Sequence, residues 1–198
     1  TGVQTCALPI SLAGANTYTG GTTINGGQLN FNNASALGTG TLTIFGGGSV
    51  VLDNTTGNAI TNSKVNVQNW NSNFTFVGSN NLNLGTGAVT INSNRTVTVS
   101  ASSLIVGGAI GQTGGSFGLT KEGNGVLSLT GTSTYTGATS VNTGTLASLH
   151  AFTIVSTDPK TVLSGLAKNT SIFLDRRDEV TSCTSAVVLT GKAVRLIL

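Results

Sequence analysis

Charged and aromatic residues are scarce in this sequence. Of its 198 residues only 8% are charged and 5% are aromatic, while the mean hydropathy is slightly positive at +0.23. A disordered linker is excluded, because such linkers combine high charge with low hydropathy. A broad globular core normally uses more aromatic side chains, whereas a thin stack of coils needs fewer. The composition therefore favours a thin, layered fold.

Residues that bind metals or carry acid–base chemistry are also few. Cys6 and Cys183 stand near opposite ends, and neither has the spacing of a metal-binding pair. Residues 1–146 contain one Asp and one Glu, Asp53 and Glu122, whereas glycoside or uronate chemistry needs carboxylates placed together. The single histidine, His150, has no partner at a recognised spacing. We therefore predict no catalytic residue, no metal site, no cofactor and no enzymatic activity.

Positive charge is scattered along the chain. The net charge is +3, and residues 1–146 account for +1 of it through three basic and two acidic side chains. The only dense charge run, DRRDE at 175–179, mixes both signs. Nucleic-acid binding is therefore not expected, because it depends on clustered Lys and Arg.

Glycine and short alternating segments are abundant. Residues 119–146 read LTKEGNGVLSLTGTSTYTGATSVNTGTL, in which alternating runs at 126–129 and 139–141 are separated by small turn-forming clusters. A period of two predicts strands with one face inward, and frequent Gly or Asn predicts tight turns between them. Further strands are predicted at 30–32, 41–45, 65–67, 74–76, 89–91, 96–99 and 103–108.

Part of this segment occurs twice. Residues 11–29, SLAGANTYTGGTTINGGQL, align without gaps with residues 128–146, SLTGTSTYTGATSVNTGTL. Both copies contain Thr-Tyr-Thr-Gly, around Tyr18 and Tyr135. Self-similarity of this kind predicts a repeat architecture, in which each unit buries its apolar side against its neighbours.

The full pattern, LTKxGxGxLxLxGxxTYTGxTxVNxGTL, resembles the autotransporter-associated β-strand repeat of bacterial surface proteins. The run from Lys121 to Gly125 fits the start of that motif, and the two Thr-Tyr-Thr-Gly segments fit its middle. The resemblance covers roughly residues 11–146. It implies an all-β fold, a right-handed parallel β-helix, for a passenger segment exported to the bacterial cell surface, with no catalytic residues.

The same resemblance implies a role and a partner. The segment is expected to extend an autotransporter passenger and support its secretion through an outer-membrane β-barrel translocator that this chain does not contain. Two alternatives stay open. The first is an adhesin or self-association surface, which would bind a second copy or host and surface glycans. The second is a polysaccharide-active β-helix.

The sequence also predicts the settings of Trp70 and Glu122 and the number of coils. Trp70, which lies among asparagines, is expected to be half-buried at a corner of a coil, with a sugar-binding platform as the alternative. Glu122 is expected to be a solvated turn residue beside Lys121. The two repeats start 117 residues apart, which corresponds to about four to six coils of 20–29 residues each.

The two ends differ from the repeat region. Residues 1–10, TGVQTCALPI, are what a common sequencing-library adapter encodes when it is read in frame, so we interpret them as an assembly artefact. The absence of Met indicates a fragment. Residues 147–198 contain only two of the 28 glycines and are interpreted as a divergent, irregular tail, frameshifted or misjoined near Leu146. A genuine second module is the competing interpretation.

These interpretations predict a result at the level of DNA. Amplification of source DNA across both junctions should give native codons in place of residues 1–10 and a frame that continues past Leu146 into further Gly-punctuated repeats. Native DNA that encodes both ends as they are written would show that the tail is a real second module.

Overall fold

The alternating segments form strands, and the strands stack into three parallel sheets. The structure, a computed structural model, describes residues 8–46 and 48–148, and beyond them the backbone of three strands at 154–156, 162–164 and 172–174. The described residues form twenty β-strands and no helix.

Each sheet has its own spatial order of strands. Sheet A comprises β1 (Ile10–Leu12), β3 (Gly27–Phe31), β5 (Val50–Asp53), β8 (Phe74–Phe76), β11 (Arg95–Val99), β14 (Leu119–Glu122), β16 (Thr139–Val141), β18 (Ile154–Ser156) and β20 (Ile172–Leu174). Sheet B comprises β13 (Ile110–Gln112), β10 (Val89–Ile91), β7 (Gln68–Trp70), β4 (Leu42–Ile44) and β2 (Thr22–Ile24). Sheet C comprises β19 (Val162–Ser164), β17 (Thr145–Ser148), β15 (Val126–Leu129), β12 (Ser103–Val106), β9 (Leu82–Asn83) and β6 (Ile60–Thr61).

The chain visits the sheets in the order A, C, B in each central coil, so that it winds as a solenoid of about six turns. Every pairing between described strands is parallel. In sheet A from β1 to β14, paired residues are separated by 19 positions (Ile10 and Leu29) to 24 positions (Arg95 and Leu119). The predicted all-β parallel β-helix is confirmed, and so is the predicted number of coils.

The interior consists of columns of apolar side chains that stack from coil to coil. In sheet A one column joins Leu29, Leu52 and Phe76, each of which is at most 5% exposed. In sheet C Leu104, Leu127 and Leu146 form a similar column and are fully buried. Each such side chain contributes roughly 1.5–3 kcal/mol, provided that the register keeps the same parity in every coil.

Trp70 lies in the middle of this interior, and the expectation of a half-buried corner residue was wrong. It is fully buried in β7, its ring packs edge-on against Phe74 with centroids 5.0 Å apart, and its indole nitrogen donates to Gln68 Oε1 at 3.1 Å. A fully buried ring cannot serve as a sugar-binding platform. The buried Gln68 supplies the acceptor that a buried indole requires.

The predicted strand at residues 65–67 was also wrong. Val65 and Val67 are 70% and 47% exposed, whereas Asn66 between them is buried. The Asn66 amide donates to the carbonyls of Gly38 at 2.9 Å and Gly40 at 2.6 Å in the preceding coil. The alternation is real but has the polar residue inside, because this segment turns the corner from sheet C to sheet B and must satisfy backbone acceptors there.

Three strands beyond residue 148 extend the solenoid. Strands β18 and β20 continue sheet A, and β19 continues sheet C, all by parallel pairing. Cys6, His150, Cys183 and the charge run at 175–179 lie outside the described residues. That residues 1–10 are an artefact and that residues 147–198 are misjoined stay predictions.

Glycines allow the coils to approach closely at the corner between sheets C and B. Gly87, Gly108 and Gly131 stack there in successive coils. A Cβ placed on Gly108 would lie 1.8 Å from the carbonyl oxygen of Gly87, which belongs to the rigid backbone of the neighbouring coil. Only a residue without a side chain fits this contact.

This contact predicts a position-dependent cost of alanine. The substitution Gly108→Ala should lower the free energy of unfolding by about 1–3 kcal/mol, because the neighbouring backbone must shift. Gly20→Ala is the matched control, since a Cβ at Gly20 would meet no atom within 4 Å. Urea unfolding of the two variants measures the difference, and equal midpoints would contradict the packing at this corner.

Candidate functional site

The two repeat copies occupy equivalent paths on different faces of the solenoid. In the first copy the three strands are β1, β2 and β3, which belong to sheets A, B and A. In the second copy the matching strands are β15, β16 and β17, which belong to sheets C, A and C. The offset of 117 residues therefore amounts to a whole number of coils plus one face.

Both repeat coils are short and leave one face without a strand. The first and third strands of each copy pair with each other at a separation of 19 residues, Ile10 with Leu29 and Leu127 with Leu146. Residues 13–21 and 130–138, which carry the Thr-Tyr-Thr-Gly segments, form no strand. The repeat thus encodes a coil with two strands, and among the described residues sheet C begins after the first copy and sheet B ends before the second.

A tyrosine–threonine hydrogen bond recurs in both copies. The Tyr18 hydroxyl lies 2.7 Å from Thr22 Oγ1, and the Tyr135 hydroxyl lies 2.6 Å from Thr139 Oγ1. The bond joins the strandless segment to the next strand. Tyr135 is only 8% exposed and Tyr18 is 39% exposed. Burial raises the pKa of Tyr135 to about 12, while the hydrogen bond to Thr139 acts in the opposite direction.

The Gln112 side chain links the second strandless segment to the preceding coil by hydrogen bonds. Its Oε1 accepts from the backbone nitrogens of Phe117 at 2.9 Å and Thr136 at 3.1 Å, and its Nε2 donates to the Thr136 hydroxyl at 2.7 Å. No pattern in the sequence points to this role, because Gln112 lies outside the repeat motif. Its partners are set by the stacking of two coils.

Lys121 is a fully buried cation in an apolar column. In sheet A it pairs with Val97 on one side and Val141 on the other, and its side chain points inward as theirs do. Its ammonium donates to the carbonyl oxygens of Glu122 at 2.7 Å, Gly123 at 2.6 Å and Thr143 at 3.2 Å. Three donors therefore meet three acceptors at the turn, one of them in the next coil.

The alternation of residues 119–122 contained the signal for this burial. Leu119 and Lys121 share one parity of β14, so a lysine is placed where an apolar residue is expected. Burial lowers the pKa of Lys121 to about 8, and the nearby Glu122 carboxylate raises it in part. The equivalent position in the first copy is Gln4, outside the described residues, so the described lysine belongs to the second copy alone.

Glu122 is not a solvated turn residue, contrary to expectation. It lies in β14 on the outer face of sheet A, half-buried, and accepts a hydrogen bond from the Asn142 amide at 3.1 Å. The reason is register: Lys121 pairs with Val141, so Glu122 faces Asn142 in the next coil. The carboxylate thus links two coils of the second repeat.

The second carboxylate of the repeat region has a different setting. Asp53 is 2% exposed and accepts from the backbone nitrogens of Asn54 at 2.8 Å and Ser79 at 2.9 Å, and from the Ser79 hydroxyl at 2.6 Å. Three strand steps of sheet A separate it from Glu122, roughly 14 Å at about 4.8 Å per step. The structure does not bring these two together as an acid–base pair.

Other site chemistry is sparse among residues 8–46 and 48–148. No group of three or more His, Cys, Asp or Glu side chains is placed there to bind a metal ion. The same part of the chain contains no helix that is long and apolar enough to span a membrane. The features that remain are the two repeat coils with their tyrosine–threonine bonds and the buried Lys121.

The setting of Lys121 predicts a specific pH dependence of stability. The pKa is about 8 in the folded protein and 10.5 in the unfolded chain. Below pH 8 both states hold the proton, and above it the unfolded chain binds more protons. The free energy of unfolding should therefore rise with pH, by about 2 kcal/mol between pH 8 and about 9.5.

Urea unfolding at closely spaced pH values measures this rise. The Lys121→Met variant should lose it, whereas Lys64→Met, which removes a lysine outside this column, should keep it. Above pH 10 the trend should reverse, because Tyr135, whose pKa is about 12 in the folded protein, loses its proton more readily in the unfolded chain. An unchanged rise in Lys121→Met would show that another group titrates.

The repeat coils coincide with the segments that a family model matches. The model of the passenger-associated transport repeat matches residues 11–31 and 119–147, which span β1 to β3 and β14 to β17. No curated protein and no solved structure matches the chain significantly. The resemblance drawn from the sequence is confirmed in these segments, each of which matches the passenger-associated transport repeat.

Proposed function

We propose that this chain is a non-catalytic passenger segment of an autotransporter, which lengthens the passenger and supports its secretion. The observation that carries the proposal is the pairing pattern. Every described strand pairs only with strands of adjacent coils, and paired residues are 15 to 26 positions apart. Each described pairing between strands can therefore form as soon as the next coil is present, without a distant part of the chain.

This pattern supports coil-by-coil folding during export. A coil that emerges from a membrane pore buries its apolar columns and its backbone groups on the coil already formed. Each addition is favourable by itself, so folding on the far side of the membrane opposes backward diffusion of the chain. The partner is then an outer-membrane β-barrel translocator, and the location is the bacterial cell surface or the extracellular medium.

The interior favours a structural role. Asp53 and Lys121 have their hydrogen-bonding groups engaged by backbone and hydroxyl partners, and Asp53 and Glu122 lie on separate coils. These side chains hold turns and coils together. Neither the alternative of a polysaccharide-active β-helix nor a glycan ligand is favoured by a described cluster of side chains.

One observation favours the other alternative, a self-association surface. On the outer face of sheet A, Thr75 pairs with Thr98, and Thr96, Thr120 and Ser140 pair in sequence. These five half-buried hydroxyls make no side-chain hydrogen bond among the described residues. Two regular rows of hydroxyls on adjacent strands could meet the same face of a second copy.

A matched pair of variants tests the secretion role. The full chain is placed between a signal peptide and a translocator barrel, and surface display is measured with an antibody against an N-terminal tag. Phe76→Asp puts a carboxylate into a fully buried column whose neighbours, Leu52 and Val99, are apolar, and should lower display severalfold, because an unpaired buried charge prevents stacking. Thr75→Asp, at the adjacent residue on the outer face, has the uncharged neighbours Val51 and Thr98 and should leave display unchanged.

The same cells separate the two functions. Equal display of wild type and Phe76→Asp would overturn the secretion role. Clumping of cells that display the wild type but not of cells that display Thr75→Asp would establish self-association through the hydroxyl rows. Clumping that Thr75→Asp leaves intact would exclude that surface.

A further inference from the structure

The turn between β2 and β3 contains one of two Asn-Gly pairs in the chain. The pairs are Asn25-Gly26 and Asn124-Gly125. Asn-Gly is chemically labile, because glycine has no side chain to shield its backbone nitrogen from the preceding carboxamide. The nitrogen attacks the asparagine Cγ, a C–N bond forms and ammonia leaves. Water then opens the cyclic imide at either carbonyl and gives aspartate or isoaspartate.

The reacting groups of the first pair are open to this chemistry. Asn25 and Gly26 are both exposed, and neither the Asn25 side chain nor the Gly26 backbone nitrogen makes a hydrogen bond among the described residues. Gly26 has φ of +149°, a conformation that L side chains rarely adopt. The nitrogen and the carboxamide can therefore meet without loss of a hydrogen bond.

The fold holds the chain on both sides of this turn. The backbone nitrogen of Phe45 donates to the Ile24 carbonyl, and that of Gly27 donates to the Ser49 carbonyl, both at 2.9 Å. The free stretch is thus limited to Asn25 and Gly26 between two anchored strands.

The second pair has the same two residues in a different setting. Gly125 is buried, and its backbone nitrogen donates to the Val99 carbonyl of the preceding coil at 2.8 Å. Attack on Asn124 would require this inter-coil bond to break first. From the sequence alone the two pairs are expected to deamidate equally fast. The hydrogen bond between coils at Gly125 is what distinguishes them.

The repeat alignment adds an internal comparison. Asn142 is the counterpart of Asn25 in the second copy, but Thr143 follows it in place of glycine. Its side-chain amide is also held by Glu122. In the first copy glycine follows the asparagine, and no carboxylate among the described residues holds its side-chain amide. Of these two aligned asparagines, only Asn25 is therefore prone to deamidation.

We propose that Asn25 is a site of spontaneous deamidation in the folded protein and that the fold protects Asn124. Each event replaces a neutral amide by a carboxylate. The net charge of residues 1–146 then falls from +1 to zero, since only five charged side chains lie there. The isoaspartate product also lengthens the main chain between β2 and β3 by one methylene group.

Mass spectrometry of the full chain tests the proposal. Folded protein is kept at mildly alkaline pH, digested at intervals, and the Asn25 and Asn124 peptides are quantified. Deamidation should be about tenfold faster at Asn25, the factor expected when one backbone hydrogen bond must open at Asn124. In urea the two rates should converge, which separates protection by the fold from the effect of neighbouring residues.

Two conservative variants act as controls. Asn25→Gln should abolish most of the acidic shift seen on isoelectric focusing, because glutamine cyclises far more slowly, whereas Asn124→Gln should leave that shift unchanged. Equal rates at the two sites in the folded protein, a faster rate at Asn124, or a rate ratio that persists in urea would each overturn the proposal.

Discussion

The structure depends on parallel backbone pairing between successive coils in a register that keeps the same parity. A slip of one residue in any coil would turn its apolar side chains outward, and it would also break the columns of both neighbours. The ladder therefore fixes which side chains are buried and how closely the coils approach. Gly87 and Gly108 meet this constraint at the corner by having no side chain.

The constraint also explains the buried polar residues. A solenoid must turn between sheets, and at each turn some carbonyl groups lose their ladder partners. Asn66 and Lys121 occupy inward positions and supply the missing donors, to two carbonyls in one case and three in the other. These residues stabilise turns at positions where an apolar side chain would leave acceptors unsatisfied. Their chemistry is consistent with a structural segment.

The repeats combine a local and a global property. Locally, each one encodes a short coil with two strands and a tyrosine–threonine bond across the strandless face. Globally, each lies where one sheet is absent from the described coils. A solenoid built in this way can change its cross-section at a repeat without interrupting the backbone ladder, because the first and third strands pair at the same 19-residue separation in both copies.

The sequence by itself determined the all-β class, the repeat architecture and many of the strands with their inward faces, because these depend on alternation, on turn residues and on contacts between neighbouring coils. The alternation in β14 also places Lys121 on the same inward face as Leu119. The tertiary structure decided which sheet each repeat strand joins, the burial of Trp70, the corner at 65–67 and the protection of Gly125. These depend on the lengths of intervening coils, which add up along the chain, and on the carbonyl groups that the adjacent coil happens to present at each position.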